Sequence, residues 1–480
     1  MAKLRTLLLL LLFSAAALLE AFRLSSLSAL TNCDIWWHLS SGLWILHSHG
    51  FPHSGLFSQA SAQSWSASSW GYELLLAASY KVLGLRSIPF FLMKFKAALA
   101  VLTFLLAGGI RGKFWPAVGL SVIAQFILAA IPPGPAYLSV LFFGIELLIL
   151  LEARRSGSSR LLWWLVPLLL VWANLHMQFV YGVAVLLLFL GVIVVERSGQ
   201  AQKLRVARAW EPVLVAIAAA LVTPYLWGGY AAFFRTTFNS ANTYLPDFQA
   251  LGFRQPQDYI LLLLAMSAFL VLGLQRSRDV FQIGLLAGCL GLSFYSRRDI
   301  WLVTLAALAV IGEALTDRPA EDSVSRKQAE CRRVLFAAGA AVALAIVALA
   351  VRVPSSREAL LAKTGQSYPV AACDYIRNHR LAQPLFNAYE WGGFLTWYLP
   401  EYPVAIDSRT DLYGGDTVAE YSKVMNADLR YTEFPPLADA QTILLPKGAI
   451  MASALGSVPV FKLAYSDDVA VVLTRRSPNE

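Results

Sequence analysis

Apolar residues in this chain fall in long unbroken runs, with polar residues collected between them. The runs at 7–19, 180–195 and 334–351 approach or reach the ~20 residues that a helix needs to cross ~30 Å of hydrocarbon. Inside lipid each backbone amide must be satisfied within its own segment, so the runs predict helices. Eleven spans are predicted, near 4–22, 88–110, 115–131, 136–152, 161–176, 178–195, 212–230, 259–274, 280–296, 300–315 and 334–352. Most connections between them are short. Two are long, 23–87 and 231–258, and a third polar segment, 353–480, follows the last span.

The pattern changes in that last segment. Short apolar runs alternate with helical stretches, which predicts helices at 369–380, 391–399 and 416–427 and strands at 384–387, 403–407, 441–446, 458–465 and 468–474. The expected fold is therefore mainly α: a polytopic bundle over 1–352, carrying both long loops, and a small α/β soluble domain over 353–480. Within the loop 23–87, the stretch around Asp34–His38 and the stretch 70–83 predict two amphipathic helices lying along the membrane.

Composition agrees with a membrane class. The chain is 57% hydrophobic and 14% charged, whereas soluble domains carry roughly 25% charge. The net charge of +9 is unevenly placed: 353–480 has 11 basic and 14 acidic residues, and the remainder 28 and 16. With the N-terminus inside, the inner segments hold 18 arginines and lysines, among them Arg111, Arg154, Arg155, Lys203, Arg205, Arg208 and Arg318, and the outer loops 7. The positive-inside rule then puts the N-terminus in the cytoplasm and 353–480 outside. The positive charge is a topology signal, and no basic recognition helix or stacking platform points to nucleic acid. The basic, apolar start has no A-x-A-like cleavage site and is read as a retained first span. Four cysteines, in different parts of the chain, define no disulfide framework.

Candidate chemistry gathers on the expected outer face. Asp34 and His38 are four residues apart and share a helix face, which suits either a general base or a site for a divalent metal such as Mg or Mn; Asp34 reads equally well as a helix-capping carboxylate. Glu73 opens the second lateral helix. The adjacent Arg297 and Arg298, in an outer turn, suit a phosphate clamp or snorkelling to headgroups. Asn174, His176 and Asp247 lie at outer mouths of spans. In the terminal domain Tyr389, Glu390 and Trp391 follow one strand, and Asp407 and Arg409 follow the next, where open α/β sheets bind ligands. Packing by Tyr389 and Trp391 is the competing role.

Two stretches resemble a known group. Asp34-Ile35-Trp36-Trp37-His38-Leu39 with Gly50-Phe51-Pro52-His53 and Phe57-Ser58 resembles the first outer loop of bacterial membrane proteins of the GT-C glycosyltransferase type. The segment Phe386-Asn387-Ala388-Tyr389-Glu390-Trp391-Gly392-Gly393, followed by Tyr402-Pro403-Val404-Ala405-Ile406-Asp407-Ser408-Arg409-Thr410-Asp411, is similar to the tail domain of the same group. The resemblance implies transfer of a sugar from a polyprenyl-phosphate carrier to a glycan, lipid or protein acceptor at the outer face. It implies Asp34 as base or metal ligand and Arg297 or Arg298 at the lipid phosphate. The chain departs from the group's pattern at Gly55, at Ser68-Ser69, at Asn242 and at Met177-Gln178. The missing acids leave a non-catalytic protein that binds or assembles lipid-linked saccharides as the alternative. A transporter would show inverted repeats, and none is visible.

Overall fold

A computed structural model describes residues 2–23, 32–132, 134–198, 209–316, 323–354 and 356–476. Lys203, Arg205, Arg208 and Arg318, counted above as inner charges, lie outside the described residues. The chain divides into two compact units. The first comprises Met1–Phe22, Phe90–Tyr230 and Pro246–Val351, and the second comprises Arg23–Pro89, Ala231–Leu245 and Arg352–Glu480. Charge alone had suggested a cut at 352, with both long loops assigned to the bundle. By packing, most of the two loops groups with the terminal segment.

The first unit is helical. Among the described residues four helical stretches are long and apolar enough to cross a membrane: Trp70–Leu106, Ala136–Ser156, Pro256–Leu274 and Gln328–Val351, the first of them starting in the other unit. Shorter apolar helices, including Phe114–Leu128, Phe179–Val194 and Val280–Tyr295, account for other predicted spans. The Ile300–Leu315 helix is the core of this unit, buried from Ile300 through Gly312. Two predicted spans are not single helices. The helix Trp210–Ala219 stops and a new one runs Gly228–Thr237, because Pro224 between them has no amide proton to continue the ladder. The span near 161–176 begins as a 3-10 stretch, Ser159–Trp164, and turns α-helical over Leu165–Leu175. Pro167 sits in that helix's first turn, where its missing N–H costs no bond.

The second unit joins the helices Cys33–Ser48 and Trp70–Leu83 to a small sheet. Cys33–Ser48 is capped by Asn32, whose side chain accepts from the Asp34 amide, and ends at His49 in the left-handed conformation. It packs on Trp70–Leu83 at Gly42, where a Cβ would lie 2.1 Å from the Glu73 carbonyl oxygen. The sheet runs β1 (Leu385–Asn387), β2 (Thr442–Pro446), β4 (Ala470–Arg475), β3 (Phe461–Ser466); β1 and β2 are parallel and the other pairs antiparallel. The expected strand at 403–407 is not in the sheet. Its backbone instead exchanges bonds with the first loop: Val404 N donates to Phe57 O at 2.9 Å and Gln59 N to Val404 O at 2.9 Å. Gln59 Nε2 adds bonds to the carbonyls of Leu385 and Pro403. Those bonds satisfy the polar backbone of a loop that would otherwise need water. They are the physical reason the loop belongs with the terminal segment.

Candidate functional site

In the second unit the Cys33–Ser48 helix and the Tyr389–Tyr398 helix meet at their N-terminal ends. The Gly392-Gly393 pair permits it: a Cβ on Gly393 would lie 2.3 Å from the Cys33 carbonyl oxygen, and one on Gly392 2.1 Å from that of Ile406. Asn387 fixes the adjoining loop, donating to Ile406 O at 2.8 Å and accepting from Ala405 N at 2.8 Å. Asp34 therefore stands in the first turn of its helix, where the helix dipole favours a carboxylate. The Cys33 thiol donates to its Oδ1 at 3.6 Å.

Around Asp34 the structure collects Tyr389, Cys33, Glu390 and Ser408. Burial, then the charges of Asp34, Cys33, Asp407 and Glu390, hold the Tyr389 phenol well above its usual range, so it keeps its proton beside Asp34. Burial, then Asp34, also raises the Cys33 thiol, which lies beside the Ser408 hydroxyl. Asp34 and Cys33 are half-buried and Glu390 is exposed, so the cluster has an open side.

Other candidates in this unit are structural. Asp407 is consumed by Arg409, whose Nε lies 3.0 Å from Oδ1 and Nη2 2.6 Å from Oδ2, and by the Tyr413 hydroxyl at 3.1 Å. Arg409 Nη2 also donates to Leu56 O at 2.9 Å, and its guanidinium covers the Trp65 ring at 4.9 Å. The pair thus clamps the first loop onto the terminal segment. Trp391 donates from Nε1 to Ser367 O at 3.1 Å and packs in the interior. His38 is buried, with Nδ1 3.0 Å from Glu73 Oε1. Burial, then the charge of Arg409, lowers its imidazole to about 3, and burial raises the Glu73 carboxyl. The two side chains share one buried hydrogen bond.

Sequence reading missed Asp411. It lies in the short Thr410–Tyr413 helix, and burial pushes its carboxyl up to about 6 against the opposing pull of Arg409. Nothing in the local pattern marks it, since the shift comes from surroundings contributed by distant segments, Arg235 among them.

The first unit holds the remaining candidates. Arg297 bonds Gln255 and reaches Asp258 Oδ1 at 3.4 Å, while Arg298 sits over the Phe248 ring at 4.8 Å. The two guanidiniums are thus held by different partners and do not form a paired clamp. Asn174 donates to the carbonyls of Leu170 and Val222 at 2.8 and 2.9 Å, a helix-end role. His176 Nδ1 lies 2.7 Å from Ser139 Oγ, which also accepts from Trp172 Nε1. Asp247 is exposed in a 3-10 turn. The residue overlooked here is Asp299, buried and bonded by Gln178 at 2.8 Å and Tyr181 at 2.6 Å.

Likeness to solved structures spans nearly the whole chain. ArnT from Cupriavidus metallidurans bound to undecaprenyl phosphate matches at 13% identity and a TM-score of 0.42, over 98% of this chain and 98% of that one. The apo state of the same protein matches at 14% identity and 0.40, over 96% and 97%. No family model matches the chain, and no curated protein matches it.

The departures from the motif pattern have local reasons. Asn242 donates to the carbonyls of Thr236 and Thr237 at 2.9 Å each, closing a helix end as an ionised glutamate could not. Gln178 is spent on Asp299. A Cβ at Gly55 would meet the Ala60 carbonyl oxygen at 2.6 Å. His38, the expected partner of Asp34 at a metal, is buried with its Nδ1 against the Glu73 carboxyl. Among the described residues no group of three histidine, cysteine or acidic side chains is disposed to hold a metal.

Proposed function

We propose that the protein is a membrane glycosyltransferase that moves a sugar from a polyprenyl-phosphate carrier to an acceptor hydroxyl at the outer face of a bacterial inner membrane, with its N-terminus cytoplasmic. The observation that carries the proposal is Asp34: a half-buried side chain at a helix N-terminus, in a cluster with Cys33, within the electrostatic reach of the protonated Tyr389, with Glu390 exposed. A carboxylate in that position is placed to take a proton from an acceptor hydroxyl, and the helix dipole favours its charged form.

In the proposed reaction Asp34 takes the proton of the acceptor hydroxyl as its oxygen attacks the anomeric carbon. The bond from that carbon to the carrier phosphate breaks, and the phosphate leaves with the electron pair. Attack opposite the leaving group inverts the anomeric centre. Tyr389 keeps its phenolic proton within the electrostatic reach of Asp34. Each step is assigned to residues of the chain itself.

The test is transfer by the full chain reconstituted in vesicles with a radiolabelled polyprenyl-phosphate sugar and a panel of glycan, lipid and protein acceptors. Transfer that persists in chelator supports the proposal. Carrier binding with no transfer to any acceptor would favour a binding or assembly protein of the same fold.

A further inference from the structure

The first unit contains a cavity of about 390 Å³ that the proposed transfer reaction does not use. It lies where the Ser87–Leu106 and Ala136–Ser156 helices approach Ile300–Leu315, and leucines and isoleucines with Trp164 line most of it. Its volume falls in the ~300–1,000 Å³ range of small-ligand sites. At one rim stand Arg111, Arg155, Glu152 and Glu313. Arg111 pairs with Glu152; Arg155 reaches Glu152 at 3.5 Å and Glu313 at 2.5 Å. All four side chains remain 29–33% exposed, so donors and acceptors are left over on both signs of charge.

We infer that this cavity binds a zwitterionic aminophospholipid by its headgroup and the upper part of its chains. Two guanidiniums can turn to the phosphate and two carboxylates to the ammonium, whereas a purely anionic headgroup would compete with Glu152 and Glu313 for the arginines and offer the carboxylates nothing in return. The apolar walls take the first carbons of the acyl chains. Arg111, Arg154 and Arg155 are among the charges that the positive-inside pattern puts at the inner face, so the lipid comes from the inner leaflet. A primary ammonium is favoured over a quaternary one, because it donates hydrogen bonds to Glu152 and Glu313.

Cys331 lines the same cavity and is the exposed cysteine among the described residues, which makes it a reporter. The full chain in detergent is titrated with phosphatidylethanolamine, phosphatidylcholine or phosphatidylglycerol, and alkylation of Cys331 by a maleimide is followed. Phosphatidylethanolamine is expected to slow alkylation at least about threefold more than either other lipid, the scale of part-exposed ion pairs. The double variant Glu152→Gln, Glu313→Gln is expected to lose that preference and to favour phosphatidylglycerol. Equal protection by all three lipids, protection by none, or stronger protection by a polyprenyl phosphate would overturn the inference. The wild-type comparison stands alone if the variant does not fold.

Discussion

Asp411 and Glu73 are carboxyls whose behaviour is set by burial, and each makes a separate prediction. Asp411 has its carboxyl raised to about 6 from an unfolded value near 3.9. A raised carboxyl binds its proton more tightly in the folded state, so its contribution is present below about pH 4 and lost as pH rises through 6. Asp411→Asn should therefore stabilise the protein above pH 7 by on the order of 2 kcal/mol and leave it unchanged at pH 4. Thermal unfolding in detergent at both values reads the difference. Glu73 should tolerate Glu73→Gln within about 0.5 kcal/mol, because a side-chain amide can still share a hydrogen bond with His38 Nδ1. Glu73→Leu leaves that nitrogen buried without a partner and should cost about 1–3 kcal/mol. Equal effects of the two substitutions in a denaturation series would contradict the described hydrogen bond.

Between elements the decisive feature is close backbone approach. The Tyr389–Tyr398 helix meets the Cys33–Ser48 helix only because Gly393 has no side chain. Gly393→Ala forces the two apart, at a cost of about 1–3 kcal/mol or more by the usual scale of overpacking. Transfer should fall with it, since Asp34 follows Cys33 directly; near-wild-type stability and transfer would contradict the described contact. Element types were largely readable: 70–83 is a helix as expected, and β1, β2, β3 and β4 lie close to their predicted places. The segment 403–407 misled because an apolar run reads as a strand whether its partner is a sheet or a loop. Likewise 212–230 had the hydropathy of one span, and the break near Pro224 comes from a missing amide that hydropathy does not register.

For the molecule as a whole, the pattern of runs gave a helical bundle with a small α/β part, and that architecture is observed. Where the chain divides was less legible. Charge marks residue 352, but packing groups Arg23–Pro89 and Ala231–Leu245 with the terminal segment, through bonds such as Val404 to Phe57 that join residues hundreds of positions apart. The candidate site followed the same rule. Asp34, Tyr389 and Glu390 carried signals in their own segments, whereas the engagement of Arg297 by Asp258 and of Asp407 by Arg409 depends on the fold.

The central claim is that Asp34 is the base that activates the acceptor. The most direct measurement compares wild type with Asp34→Asn in the full reconstituted chain, reading the transfer rate and the carrier Kd separately. The account predicts a rate lower by about 10²–10⁴-fold with carrier binding within about threefold of wild type. Unchanged transfer by Asp34→Asn would contradict it.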